Sequence, residues 1–288
     1  MKIKNLKKAF KNIAKSVIIF TFILTLSFAL ISCGIKKEEP TTTAVPTVKV
    51  TFPEGYTVLQ ISELLERNKV CSAKDFQNLC RTVPENYKTL IGEPRTPNVI
   101  FPLEGYLFPD TYEFYVGESA QNVLERFLSN TKSKLSEEHF KRAEELGMSM
   151  NEVITFASVV QSEASVAAEM PAVSAVFHNR LAKQATGFPY IGSDVTRHYI
   201  EKKMKPYIEE NELDYNALFA DYCTNDGYEL KTQGLPKGPI CNPGLSAINA
   251  ALNPSDADYL YFFTDPDGGF HYNHSLSKHQ TEYYKAYH

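Results

Sequence analysis

Apolar residues from position 48 onward switch between the two-residue period of strands and the three-to-four-residue period of helices, in short stretches. Residues 48–52 alternate like a strand and Pro53-Glu54-Gly55 turns the chain. Val58, Ile61, Leu64 and Leu65 then recur at helical spacing over residues 57–66, and a second short helix fits residues 72–80. Residues 98–116 read as strand-rich, punctuated by Pro102, Gly105 and Pro109, and residues 119–134 and 136–146 read as helices. After Thr186 the pattern gives way to turns and short segments. Rigid turns are predicted at 234–239 and 242–244, a short helix over 246–252, a strand over 259–264, and a tight loop at 265–269 leading into 270–272. This order predicts an α+β fold and not the regular alternation of a Rossmann sheet.

A largely apolar helix follows Ser149, which forms a capping-box pattern with Glu152 three residues on. Val153, Ile154, Phe156, Ala157, Val159 and Val160 leave little room for a solvated side, so this helix is expected in the core. Pro171 opens the next helix, through Val173, Val176, Phe177 and Leu181. Glu163 falls four and seven residues after Val159 and Phe156, which brings its carboxyl out along the same apolar stripe. Desolvation penalises the charged form of a carboxyl group and raises its pKa, the condition for a general acid acting on a leaving oxygen. Glu163 is therefore the first candidate for chemistry. The competing reading is a last-turn glutamate that simply reaches water.

Residues 1–33 carry six lysines and no acid, then an apolar run over 16–32 that ends at Cys33-Gly34. That pattern predicts export from the cytoplasm. Leu30-Ile31-Ser32-Cys33 resembles a bacterial lipobox, which would make Cys33 the lipid attachment site; an uncleaved anchor is the rival, at the short limit for a bilayer span. Small Ser32 before the cysteine favours the lipobox. Residues 34–47 are a polar tether. Both alternatives place the protein at the cell membrane, with the folded part on the extracytoplasmic side. Without the six leader lysines, 24 Lys and Arg face 34 Asp and Glu, a net charge of about −10, so nucleic acid is not an expected partner.

Cys71, Cys80, Cys223 and Cys241 lack the close spacing of a zinc or redox motif; pairing of 71 with 80 and of 223 with 241 stands open beside four small buried thiols. His271, His274 and His279 have no acidic or cysteine ligand at matching spacing, and neither a metal nor another cofactor is expected. A Cys-His hydrolase on Cys223 or Cys241 lacks any local context that would activate the thiol.

Six segments carry a resemblance: FPEGYTVLQISELL (52–65), LEGYLFPDTYEF (103–114), ASVVQSEA (157–164), VFHNRL (176–181), GLPKGPICNPG (234–244) and DYLYFFTDPDGGFHY (258–272). In kind and order they resemble those of the endolytic murein transglycosylases, the MltG or YceG-like family. The strand-turn-helix-helix order suggests a small LysM-like α+β module over residues 48–97, and the resemblance implies a transglycosylase catalytic domain over 98–288. It further implies a membrane-tethered lyase that cuts peptidoglycan glycan strands internally, between N-acetylmuramic acid and N-acetylglucosamine. In that chemistry the 6-hydroxyl of the muramic acid attacks its own anomeric carbon and leaves a 1,6-anhydro end.

The family's catalytic glutamate is the second of two in its motif, a position matched here by Glu163, while the first is Gln161. A single acid fits the chemistry, because an internal hydroxyl nucleophile removes the need for the second carboxylate of ordinary glycosidases. Glu104, Tyr106 and Asp110 match the LEGYLFPDTY motif, Asn179 the Asn-Arg-Leu helix, and Asp194 an acid in a Thr-Asp-Pro-Thr segment; the resemblance places all five around the cleft as substrate-binding groups. Two departures stand out. The proline expected after Asp194 is Val195, and a Tyr-Asn-Thr-Tyr segment survives only as Tyr222-Cys223-Thr224-Asn225. Expected partners are glycan strands, the membrane through the N-terminal anchor and, by resemblance only, the cell-wall synthesis machinery. Gln161 and the altered segment before Gly234 motivate the alternative, a catalytically silent glycan-binding scaffold lipoprotein.

Overall fold

The computed structural model describes residues 45–182, 190–225, 227 and 231–288. The leader, Cys33 and nearly all of the tether lie outside the described residues. Alternating burial makes β1 (Thr47–Thr51) a strand with one wet face, and it pairs antiparallel with β2 (Thr111–Tyr115), from Thr47 opposite Tyr115 to Thr51 opposite Thr111. Two further bonds extend the ladder, from Phe52 N–H to Asp110 O and from Val116 N–H to Pro46 O, both 2.9 Å. α1 (Val58–Arg67) starts at Thr57, which forms a capping box with Gln60, and α2 (Ala73–Cys80) starts at Ser72. α3 (Ala120–Lys134) covers the sheet: Phe127 packs edge-on against Phe52 at 5.0 Å and against Phe76 of α2 at 5.9 Å. Residues 48–97 thus take their second strand and a covering helix from residues 111–134, past the expected boundary at 97.

Residues 98–110, expected to be strand-rich, are mostly turns. Their prolines cannot donate to a ladder, and Gly105 adopts φ +90° where a Cβ would lie 2.6 Å from Ile154 Cγ2. This stretch is pressed against the helix that follows α4 (Glu137–Glu145), namely α5 (Met150–Glu163), whose Ser149–Glu152 capping box forms as expected. α6 (Met170–Ala182) comes next.

The turns expected after Thr186 are corrected by helices. α7 (Asp194–His198) runs through a π-helical stretch (Tyr199–Met204) into α8 (Lys205–Glu210), and α9 (Tyr215–Tyr222) follows. Thr196, Tyr199, Ile200, Met204, Tyr207 and Ile208 are buried at helical spacing, and Pro206 sits in the first turn of α8, where no amide proton is needed. α10 (Leu245–Leu252), β3 (Tyr261–Thr264) and β4 (Phe270–Asn273) agree closely with expectation, whereas α11 (Leu276–Tyr287) was not anticipated. β3 and β4 form an antiparallel hairpin.

α5 is the central element, buried at Met150 and at every position from Val153 to Val160. α10 packs along it, and α6 is tied to α10 by Ser174 Oγ donating to Ala250 O at 2.7 Å, with His178 Nε2 2.8 Å from Ala251 O. Residues Pro46–His288 form one compact α+β unit. Cys71, Cys80, Cys223 and Cys241 are all free thiols, the last three buried, so neither disulfide considered above is formed.

Candidate active site

α5 stops at Glu163 because Ala164 turns to extended backbone, and the glutamate side chain leaves the last turn beside the residues that precede α7. Ser193 Oγ donates to Glu163 Oε1 at 2.6 Å. Glu163 keeps some solvent access, yet its carboxyl is surrounded closely enough that burial pushes its pKa up. The Ser193 bond and the positive charge of Arg180 pull it down, and the nearby Asp194 pushes it up; the net direction is upward. A carboxyl group in this setting holds its proton to higher pH than an ordinary glutamate while remaining within reach of an incoming molecule.

The segment carrying Ser193 is fixed from behind. Gly192 N–H donates to Thr224 O at 3.1 Å, Ser193 N–H to Thr224 Oγ1 at 3.3 Å, and Thr196 Oγ1 to Ser193 O at 2.7 Å. Thr224 and Thr196 are both fully buried. Tyr222-Cys223-Thr224-Asn225 therefore backs the 192–196 turn, and Asn225 Nδ2 reaches Asp194 Oδ1 at 2.7 Å. Asp194 turns its carboxylate outward, with Arg197 Nε at 3.4 Å, and its charge acts on Glu163.

Arg180 supplies the charge. Its guanidinium donates to Ile191 O, to Gly192 O at 3.4 Å and to Leu260 O at 2.7 Å, and lies over the rings of Phe177 and Tyr261 at 5.8 and 5.6 Å. It pins the segment leading into Ser193 against α6. Neither Arg180 nor Ser193 was singled out from the sequence, although Arg180 directly follows Asn179 in the VFHNRL segment and Ser193 precedes Asp194.

Of the five residues expected around the cleft, Asp194 is the one that adjoins Glu163. Asn179 commits its side-chain amide to Ala257 O and Tyr259 O, at 2.7 and 3.0 Å, and so braces the segment before β3. Asp110 accepts from Thr111 N–H and pairs with Lys134 at 3.2 Å, beside the small sheet. Glu104 and Tyr106 are 1% and 0% exposed. Neither reaches solvent: the Tyr106 hydroxyl donates to Ile91 O at 3.3 Å, and Glu104 is enclosed by Val58, Asn242 and Tyr199. Sequence position alone could not separate a cleft residue from a core one in this motif.

Gln161 points away from Glu163, as a two-residue helical offset requires, and its Oε1 accepts from Gly244 N–H at 2.9 Å. Each histidine of the C-terminal segment takes its own partner: His271 lies 2.7 Å from Asp265, His274 lies 3.0 Å from Asp258, and His279 stacks on Tyr261. A cavity of about 440 Å³ lined by Arg95, Met148, Glu152, His178, Leu235 and Lys237 also borders Gly234, which bridges to Tyr190, three residues before Ser193.

A family model described as the YceG-like family matches residues 31–285. The endolytic murein transglycosylase of Bacillus subtilis strain 168 is 27% identical over 239 residues, covering 80% of this chain and 63% of its own. The protein of the same name from Streptococcus pneumoniae serotype 2 strain D39 is 25% identical over 260 residues, covering 84% of this chain and 45% of its own. This chain therefore spans about half to just under two thirds of the length of these relatives. A crystal structure of a YceG-like protein from Listeria monocytogenes superposes with a TM-score of 0.65 at 28% identity, over 81% of this chain and 75% of that one.

Proposed function

The chain belongs to the YceG-like family, and from that premise we propose that it is an endolytic murein transglycosylase with Glu163 as its single general acid and base. The observation that carries this reading is the partly accessible Glu163 carboxyl held by Ser193, its pKa raised by burial and acted on by the charges of Arg180 and Asp194. Protonated Glu163 gives its proton to the glycosidic oxygen as the bond from the muramic acid C1 breaks. The 6-hydroxyl of that sugar bonds to C1 and passes its proton to the resulting carboxylate, so the acid is regenerated and a 1,6-anhydro end forms without water. Arg180 eases the ionised intermediate state of Glu163 by its charge, and Ser193 does so by its hydrogen bond.

The scaffold alternative rests on Gln161 and on the altered segment before Gly234, whose Thr224 still bonds to Ser193. The bond that Gln161 makes to Gly244 needs an acceptor and no charge, so its neutrality leaves the acid chemistry intact. Export, a lipid on Cys33 and residence on the outer face of the membrane belong to the same proposal, motivated by the lysine-rich start and apolar run of residues 1–33. The test is incubation of the purified protein with glycan strands, followed by mass spectrometry of the ends. Anhydro-muramic ends that vanish in Glu163→Gln support the enzyme; binding without new ends supports the scaffold. A Gln variant that keeps more than about a tenth of the turnover removes Glu163 from the chemistry, since general acid–base catalysis is typically worth ~10²-fold or more.

A further inference from the structure

Among the described residues, the most heavily bonded buried carboxyl is not the candidate acid but Glu104. Its two oxygens accept from Val58 N–H at 3.0 and 3.2 Å, at the first residue of α1. Oε1 also accepts from Asn242 Nδ2 at 2.8 Å, and Oε2 from the Tyr199 hydroxyl at 3.3 Å. Asn242 and Tyr199 are each 1% exposed. Asn242 belongs to the turn that packs on the last part of α5, and Tyr199 to the helix that follows Ser193.

Asn242 begins the turn that ends in Gly244, whose amide is held by Gln161, two residues before Glu163. The same asparagine accepts from Leu107 N–H at 2.8 Å, and its backbone pairs with Tyr56 O and Gly55 N–H. Tyr199 opens the π-helical stretch that continues α7, which starts directly after Ser193. A single carboxyl thus bridges the turn that bonds to α5 through Gln161 and the helix that follows Ser193.

We propose that Glu104 is a positioning residue, which fixes this turn and this helix relative to each other and so sets the contact between Ser193 and Glu163. Its effect on turnover rests on the function proposed above; its effect on the Ser193–Glu163 contact does not. Because the Ser193 bond favours the ionised form of Glu163, a loosened contact moves the titration of Glu163 upward. The other titratable groups facing Glu104 are Tyr199, Tyr222, Cys80, Cys241 and Lys203, and those facing Glu163 are Arg180 and Asp194.

The test is Glu104→Gln, which keeps the volume but sets an amide NH2 among the donors of Val58 and Asn242. Carbon-13 NMR of glutamate carboxyls reads the Glu163 midpoint without any turnover, and strand cleavage reads kcat and KM. We expect the midpoint to rise by about half a unit or more and kcat to fall roughly tenfold with KM within about twofold. Tyr199→Phe, which removes one hydroxyl, should shift the midpoint the same way by less, and it serves if Glu104→Gln does not fold. Phe114→Leu, in the core of the small sheet, controls for lost stability and should leave the midpoint in place. A midpoint unmoved in both Glu104→Gln and Tyr199→Phe, or moved equally by Phe114→Leu, overturns the positioning role. A wild-type protein that cleaves nothing, with the midpoint still moved by Glu104→Gln, overturns the proposed function and supports the positioning role.

Discussion

Ser193 and Glu163 stand thirty residues apart in the chain, yet the serine hydroxyl donates to the glutamate across 2.6 Å. Burial raises the proton affinity of Glu163, while this hydrogen bond and the charge of Arg180 hold the rise in check. In the proposed mechanism, where one acid both releases and recovers a proton in a cycle, that opposition serves it, since a group pushed too far in either direction does only half of the work.

Ser193→Ala should therefore raise the pKa of Glu163. The alkaline limb of cleavage against pH, where the protonated acid is depleted, moves to higher pH, and turnover falls because the ionised state loses a donor. Initial rates across the pH range for both proteins check this, and a limb that stays in place means that Ser193 does not tune the acid.

Glu104 makes stability depend on pH. Burial raises its pKa from the ordinary 4.5 to about 8, so in this range the folded state binds more protons than the unfolded state. The stabilisation is complete below the unfolded value and is lost as pH rises through about 8. Thermal unfolding should show Tm declining between pH 5 and pH 8, and Glu104→Gln should flatten that decline.

Gly105→Ala should destabilise the fold by about 3 kcal/mol, through a left-handed backbone that disfavours a side chain and through overpacking. The added Cβ would lie 2.6 Å from Ile154 and 2.8 Å from Pro239, both rigid neighbours. Urea titration measures this, and a change below about 0.5 kcal/mol would mean that the 103–106 turn yields more readily than its packing implies.

Cys33→Ala should block lipid attachment and leave an unprocessed, lysine-rich N-terminus. Intact mass of membrane-extracted protein decides: a native mass equal to that of the unmodified full-length chain rules out the lipoprotein.

The helix that carries Glu163 was legible because its signals are local. Ser149 and Glu152 mark its start within four residues, and its apolar run is continuous. The partners of Glu163 were not legible, since Ser193 and Arg180 reach it through long-range packing that no spacing rule encodes. Residues 194–222 were misread for another reason: their buried positions keep helical period, but four lysines or arginines, Pro206 and the extra residue of a π-helical turn interrupt the pattern. Glu104 shows the limit of motif matching, which fixes a residue's identity and not which side of the surface it occupies.

The β1–β2 ladder also gives the protein a mechanical character. A lengthwise pull arriving at Pro46 meets five paired positions, with flanking bonds at Pro46 and Phe52, before it reaches α1. Those bonds lie across the direction of such a pull and share it in parallel, as a lap joint does, instead of opening one after another. Tension entering from the N-terminal side therefore reaches residues 46–52 and 110–116 before any other part of the described fold.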